Sequence, residues 1–277
     1  MSMQPLTLAM LSIHSSPIGE LGTRDTGGMS VYVRQLALEM GRNGHQVDIF
    51  THRRHESEPE VSGLGPNVRL VSLDTAPGRP LTKTELYACA GDTMAAIEAF
   101  RHRQDRAYDL IHSHYWISGH VGRMARARWL RPHVITFHTL GAVKADTGIG
   151  AAEPARRLAV ERELVKDCQG LLAPCGGEKA NLMHYYGADA ARIAMVPGGV
   201  DVDHFRPMDK TRSRRRLGID PRVGLLLSIG RLTPQKGQDR IINALACLGR
   251  DSRPHLMVVG GNGDGDPERR RLQELAA

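Results

Sequence analysis

The chain has 277 residues, of which 41% are hydrophobic and 24% are charged, so it can form one large domain or two modest ones with a buried core. Its net charge is +7, but aromatic residues make up only 4% and the arginines are scattered, which argues against nucleic-acid binding by base stacking. Phosphate-bearing small molecules are the simpler partners for such a chain.

Targeting and metal signals are weak in this sequence. No stretch approaches the roughly 18 apolar residues of a membrane helix, and the residues before Leu6 carry no lysine or arginine. We therefore expect a cytoplasmic protein with at most peripheral membrane contact. Cys168 and Cys175 are seven positions apart, which fits no zinc motif, so we expect free thiols and no metal site.

Short apolar runs alternate along the chain with longer helical patterns. The runs are continuous rather than alternating, as in strands that are covered on both faces. They predict strands at Leu6–Ile13, Val47–Thr51, Val68–Leu73, Leu110–Ser113, Val134–Phe137, Leu171–Ala173, Ile193–Val196, Leu225–Ile229 and Leu256–Val259. The helical patterns are Met29–Arg42, Lys83–Arg103, Ser118–Trp129, Pro154–Cys168, Glu178–Tyr186, Gln238–Leu248 and Pro267–Ala276. This order predicts an α/β fold with mainly parallel sheets.

A domain boundary is predicted near residue 205. Turn residues follow Val196, and an arginine-rich polar segment separates them from the next apolar run at Leu225. We therefore assign domains to residues 1–205 and 206–277. The second has too few elements to close a doubly wound sheet, so we expect either a fragment or a domain completed by a partner. Assembly into a homodimer is one such possibility.

A glycine-rich loop follows the first predicted strand, from Gly19 to Ser30. Gly27 and Gly28 open the next helix, where backbone N–H groups can bind an anion. A plain flexible turn is the alternative. The loop does not match G-x-G-x-x-G, which argues against a nicotinamide oxidoreductase.

Two further strand ends carry histidines. His112-Ser113-His114-Tyr115-Trp116 follows one predicted strand, and His138-Thr139 follows the next. Because ligands of open α/β sheets bind at the carboxyl ends of strands, these side chains are candidate site residues. Histidine can donate a hydrogen bond or carry a proton there, although a single histidine is more often structural.

The loop Gly230–Gly237 in the second domain carries Arg231 and Lys236 between a strand and a helix. Arginine binds phosphate through two donors and lysine adds a point charge, so the pair can stabilise a departing diphosphate. A solvated surface pair is the alternative.

Taken in order, these motifs resemble family 4 glycosyltransferases over essentially the whole chain. The matching segments are Asp25-Thr26-Gly27-Gly28-Met29, His112-Ser113-His114, His138-Thr139, Pro197-Gly198-Gly199-Val200-Asp201 and Gly230-Arg231-Leu232 with Lys236-Gly237. The resemblance implies a GT-B fold of two Rossmann-like domains, retaining transfer of a hexosyl group from a UDP- or GDP-linked sugar, and neither metal nor cofactor.

The resemblance also implies roles for individual residues. Gly27, Gly28 and, in the glycine loop after the last strand, Gly261 would bind the donor. The catalytic residues would be His138, Arg231 and Lys236. His138 would hold the reacting sugar, and the two cations would neutralise the leaving group.

Family members that act on inositol phosphate also suggest the acceptor set. The matching positions are Ser30, Lys83, Tyr115, Thr139 and one of Arg156 or Arg157. Those members carry asparagine where this chain has Ser30, and serine lacks the amide. We therefore expect a phosphorylated polyol or sugar as the acceptor.

The family's E-x7-E motif does not occur before Ala277, so we expect this chain alone to be inactive or nearly so. A catalytically inactive module that binds a sugar or an anion is the alternative function. For the run Arg212–Arg216 we expect a solvated helix start, with contact to anionic lipid as its rival.

Overall fold

A computed structural model describes residues 4–19, 26–75, 81–148, 154–249, 252–261 and 266–277. The chain divides into two compact units, of which the second begins at Gly198. The domain ranges 1–205 and 206–277 stay a prediction.

An eight-stranded sheet forms the centre of the first unit. Its strands are β1 (Thr7–Leu11), β2 (Gln46–His52), β3 (Val61–Gly65), β4 (Val68–Leu73), β5 (Leu110–His114), β6 (His133–Thr136), β7 (Gly170–Ala173) and β8 (Ile193–Met195). They lie in the order β3-β4-β2-β1-β5-β6-β7-β8. β3 runs antiparallel to β4, and the remaining neighbours are parallel.

Helices cover this sheet. They are α1 (Gly28–Arg42), α2 (Lys83–Ala88), α3 (Ala90–Arg103), α4 (Tyr115–Trp129), α5 (Gly141–Thr147), α6 (Ala155–Asp167) and α7 (Gly176–Tyr186). The side chains of β1 alternate between two buried clusters, because successive residues of a strand face opposite sides of the sheet. Leu8 and Met10 pack with Val33 of α1, whereas Ala9 and Leu11 join the larger cluster on the other face.

The second unit is described by α8 (Lys210–Arg216), β9 (Leu225–Ile229), α9 (Gln238–Ala246), β10 (His255–Val259) and α10 (Pro267–Ala276). β9 and β10 pair in parallel. A short 3-10 helix, Pro234–Lys236, lies between β9 and α9.

The predicted α/β class with mainly parallel strands is confirmed, and each predicted strand and helix has a counterpart. The helix predicted over Lys83–Arg103 is two helices, because the backbone of Cys89 leaves the helical conformation. β3 and α5 were not predicted. The four cysteines are free. Within the described ranges, no helix combines the length and the apolar character needed to cross a membrane.

Candidate active site

The histidines at the ends of β5 and β6 lie close together and make hydrogen bonds between the two strands. His114 pairs in register with Thr136, so the residues that follow the two strands lie side by side. His114 Nδ1 lies 3.0 Å from His138 Nε2, and His112 Nε2 lies 3.0 Å from Thr136 Oγ1. The structure therefore brings the two histidine-bearing strand ends together, and their role in a site stays a prediction.

These rings are uncharged at neutral pH. Burial lowers the pKa of His112 to about 3 and that of His138 to about 4, and it lowers the pKa of His114 well below 6.5. The imidazoles can therefore donate or accept a hydrogen bond, but they carry no charge at pH 7.

Two residues at these strand ends have a left-handed backbone. Tyr115, the first residue of α4, has φ 75°, and His138 has φ 61°. This conformation is unfavourable for residues with a bulky side chain, and such strain concentrates at functional sites. Tyr115 and His138 are therefore candidates for function on geometry as well as on motif.

Two cations lie near the ring of Tyr115. Lys83 Nζ is 5.4 Å from the centre of the ring, and Arg157 Cζ is 4.9 Å from it. The ring of His14 contacts the same ring at 4.4 Å between centroids, with the two planes tilted by 36°. The tyrosine thus brings together side chains from α2, α6 and the loop after β1.

Arg157 is buried and fixed by several partners. Its Nε donates to Glu161 Oε1 at 2.7 Å, and its Nη2 donates to the backbone oxygen and to Oγ1 of Thr139 at 2.7 and 3.1 Å. Glu161 also accepts from the backbone N–H of Gly141 and from the hydroxyl of Tyr186.

The two arginines left open by the sequence lie in different places. Arg157 joins Lys83, Tyr115 and Thr139. Arg156 is exposed, and its Cζ lies 5.2 Å from the ring centre of Tyr87. Of the pair, Arg157 is therefore the better candidate for the acceptor site.

The start of α1 is open with respect to the described residues. None of their atoms lies within 4 Å of a Cβ added to Gly27 or Gly28. Ser30, predicted to bind the acceptor, is buried and its Oγ lies 2.6 Å from Ser15 Oγ. Its hydroxyl thus links α1 to the loop after β1. Residues 20–25 of the predicted glycine loop lie outside the described residues.

The second unit holds the remaining predicted residues at the ends of β9 and β10. The side chain of Lys236 packs along Gly230, and Gln238 Nε2 donates to the backbone oxygen of Arg231 at 3.2 Å. Gly261 lies against Leu232. Both loops therefore sit side by side within this unit. Residues 262–265 of the last loop lie outside the described residues.

The backbones of these two loops touch at their glycines. A Cβ on Gly260 would lie 1.8 Å from the backbone oxygen of Gly230, and Gly260 has φ 148°. Only glycine fits here without a shift of the backbone.

In α8, Arg214 Nη1 donates to the backbone oxygens of Asp220, Pro221 and Val223. This part of the arginine run is structural.

Two side chains beside the histidines were not predicted. The ring of Tyr32 meets His138 edge-on at 5.2 Å, and Tyr32 lies four residues after Gly28 on the same face of α1. The spacing of four residues from Gly28 was the sequence signal that could have identified Tyr32. The second side chain is Glu178, which lies in the first turn of α7 and acts electrostatically on Tyr32. Burial raises the pKa of Glu178, and its Oε1 has no hydrogen-bond partner in the described part of the chain.

Family models match both parts of the chain. Glycosyltransferase Family 4 matches residues 26–204, and Glycosyl transferases group 1 matches residues 209–277. The D-inositol 3-phosphate glycosyltransferase of Acidothermus cellulolyticus is 40% identical over 283 residues, covering 99% of this chain and 63% of its own length. That of Rhodococcus jostii is 39% identical, with 99% and 62% covered. The chain thus spans less than two thirds of these curated relatives.

Solved structures agree with this assignment. Sucrose-phosphate synthase from Thermosynechococcus elongatus has a TM-score of 0.86 and 27% identity, over 98% of this chain and 67% of that one. The fold is also that of Anabaena HepE in complex with UDP-glucose, at a TM-score of 0.69 and 16% identity over 98% and 65%. The predicted GT-B class is confirmed by these neighbours. The chain belongs to glycosyltransferase family 4.

Proposed function

We propose that the protein transfers a hexosyl group from a nucleotide sugar to a small acceptor that carries phosphate, with retention of anomeric configuration. The observation that supports this most is the grouping of Lys83, Tyr115, Thr139 and Arg157 beside the uncharged His138. Relatives named for D-inositol 3-phosphate and a neighbour named for sucrose phosphate favour the same substrate class.

On the acceptor side, Lys83 and Arg157 would bind the phosphate by charge, while the hydroxyls of Tyr115 and Thr139 would donate to its oxygens. Arg157 is held by Glu161, so its guanidinium is oriented before the acceptor arrives. Preorganised donors lose little entropy on binding, which favours a defined acceptor position.

On the donor side, breaking the glycosidic bond leaves negative charge on the departing diphosphate. Arg231 and Lys236 would neutralise that charge. The backbone N–H groups at Gly27 and Gly28 would donate to the diphosphate, as helix N-termini commonly do, and Gly261 would line the donor site.

His138 would donate a hydrogen bond to the sugar that is being transferred. Because its pKa lies at about 4, the ring acts as a neutral donor at pH 7 and does not supply a full positive charge.

Calorimetry with UDP-glucose and with a GDP-linked hexose tests the donor part, and the release of nucleoside diphosphate tests turnover. We expect Lys236→Ala and Arg231→Ala to weaken donor binding, whereas Arg216→Ala, an exposed arginine of the same unit, should not. Binding without turnover would favour the alternative function, an inactive binding module. Failure of the unmodified chain to bind either donor would contradict both.

A further inference from the structure

Arg54 lies two residues after the end of β2, near the edge of the sheet from which His14 emerges. β1 and β2 are parallel, with Leu11 opposite Phe50, and the pairing continues past the strands: the His52 N–H donates to the Ile13 oxygen at 3.0 Å. The residues after Ile13 and His52 therefore emerge at the same edge of the sheet, and Arg54 lies there.

The guanidinium of Arg54 is incompletely satisfied. The residue is half-buried, and its Nη2 is buried without a hydrogen-bond partner among the described residues. Glu58 accepts from the backbone N–H of Arg54, at 3.2 Å. A buried N–H of a charged group without an acceptor is unfavourable, and an anionic oxygen is its strongest partner.

Arg54 acts electrostatically on His14, which contacts a candidate acceptor residue. His14 follows Ile13, and its ring lies 4.4 Å from the ring of Tyr115, which is within reach of Lys83 and Arg157. Burial, followed by the charges of Lys83 and of groups that include Arg54 and Arg157, lowers the pKa of His14 to about 3. The charges of Arg54, Lys83 and Arg157 are therefore all felt at His14.

The charge of a phosphate group, compared with the charges of the candidate acceptor residues, indicates a function for Arg54. Glu161 pairs with Arg157 at 2.7 Å and offsets part of its charge, so Lys83, Arg157 and Glu161 together carry a net charge of about +1. A phosphomonoester carries about −1.5 to −2 at pH 7. A further cation would bring the charge of the site closer to that of the ligand.

We propose that Arg54 is a third cationic ligand of the acceptor, alongside Lys83 and Arg157, and that it selects a phosphomonoester over a neutral sugar. The inference rests on the proposed function, which it deepens by naming a residue that determines acceptor specificity.

Titration with inorganic phosphate tests this on the whole chain without any turnover. The NMR shift of the Thr139 amide separates this site from the cations of the second unit. We expect Arg54→Gln to weaken phosphate binding at this site about tenfold, since one charge-assisted hydrogen bond is lost. Arg54→Lys should recover part of the affinity.

Arg53→Gln is the matched control, because it removes a cation one position away whose Nη1 lies 3.4 Å from Asp74 Oδ2. It should change the affinity by less than about twofold. Lys83→Gln serves as the reference variant of the acceptor site. Thermal melting shows which variants fold. If Arg54→Gln does not fold, the phosphate affinity of Arg54→Lys is compared with that of the unmodified chain instead.

The outcomes separate the two proposals. If Lys83→Gln weakens phosphate binding but neither Arg54 variant does, Arg54 is not a ligand and the acceptor site stands. If phosphate leaves the Thr139 amide unchanged in the unmodified chain, the acceptor site itself is wrong, and the role of Arg54 falls with it.

Discussion

His114 and His138 close neighbouring strands and share a hydrogen bond of 3.0 Å between Nδ1 of the first and Nε2 of the second. The ring of His138 is therefore oriented by a buried residue that has no access to a ligand of its own. With Nε2 engaged, Nδ1 of His138 is the ring atom available to a sugar hydroxyl.

We predict that His138→Ala lowers kcat for hexosyl transfer about 100-fold or more, because a positioned donor in a dry site contributes that much. Because we expect this chain alone to be nearly inactive, steady-state release of nucleoside diphosphate is measured on the chain fused to the C-terminal part of a curated relative. The control is His184→Ala, an exposed histidine of α7, which should keep the full activity of that fusion. Equal, measurable rates for the fusion with and without His138→Ala would remove His138 from the mechanism.

Gly28 and Gly122 differ in the space that surrounds them. Gly28→Ala adds a methyl group to open space, so we predict an unchanged melting temperature and weaker nucleotide-sugar binding. At Gly122 the same change places a Cβ 2.5 Å from His133 Nε2, which should destabilise the protein by about 1–3 kcal/mol. Melting curves and calorimetry on both variants check this. A Gly28→Ala variant with normal donor affinity would contradict the donor role.

The buried pair of Arg157 and Glu161 predicts a large stability effect. Glu161→Ala leaves a buried guanidinium without its carboxylate, which should cost about 3–5 kcal/mol in urea unfolding. Glu163 lies on the same helix and pairs with Arg123 at the surface, so Glu163→Ala should cost at most about 1 kcal/mol. If both variants lower the unfolding free energy by similar amounts, burial does not make the Arg157–Glu161 pair more important for stability than the surface pair.

Stability should fall on acidification. His14, His112 and His133 have pKa values of about 3 in the folded protein and 6.5 when exposed, so the unfolded chain binds more protons between these limits. Each ring therefore removes about 1.4 kcal/mol of unfolding free energy per pH unit as the pH falls below about 6.5.

Urea unfolding at several pH values between about 7.5 and 5 measures this slope. His133→Gln should make it shallower by the contribution of one ring, whereas His184→Gln should leave it unchanged. A slope that is the same in both variants would mean that His133 is charged in the folded state.

The positions of most strands and helices could be predicted because they depend on local apolar patterns. β3 could not: its residues Val61–Gly65 include two glycines and alternate between exposed and half-buried positions, so no continuous apolar run marks them. The break at Cys89 was also hidden, since Lys83–Arg103 has helical periodicity on both sides of it.

The sequence predicted which strand ends carry the candidate site residues, but it could not predict which of these side chains contact each other. Which of Arg156 and Arg157 faces Tyr115 depends on the packing of α6, and both arginines have the same propensity. The partnership of His114 with His138 depends on the register of β5 and β6. Arg54 has no motif at all, and its position follows only from how β2 pairs with β1.

The left-handed backbones of Tyr115 and His138 have a consequence for engineering. Glycine would relax either position locally by about 1 kcal/mol, so the aromatic rings are kept there against the preference of the main chain. A thermostabilised variant obtained by relieving this strain would therefore lose the side chains of two candidate site residues. Stabilising changes are better sought on exposed helix faces, away from the ends of β5 and β6.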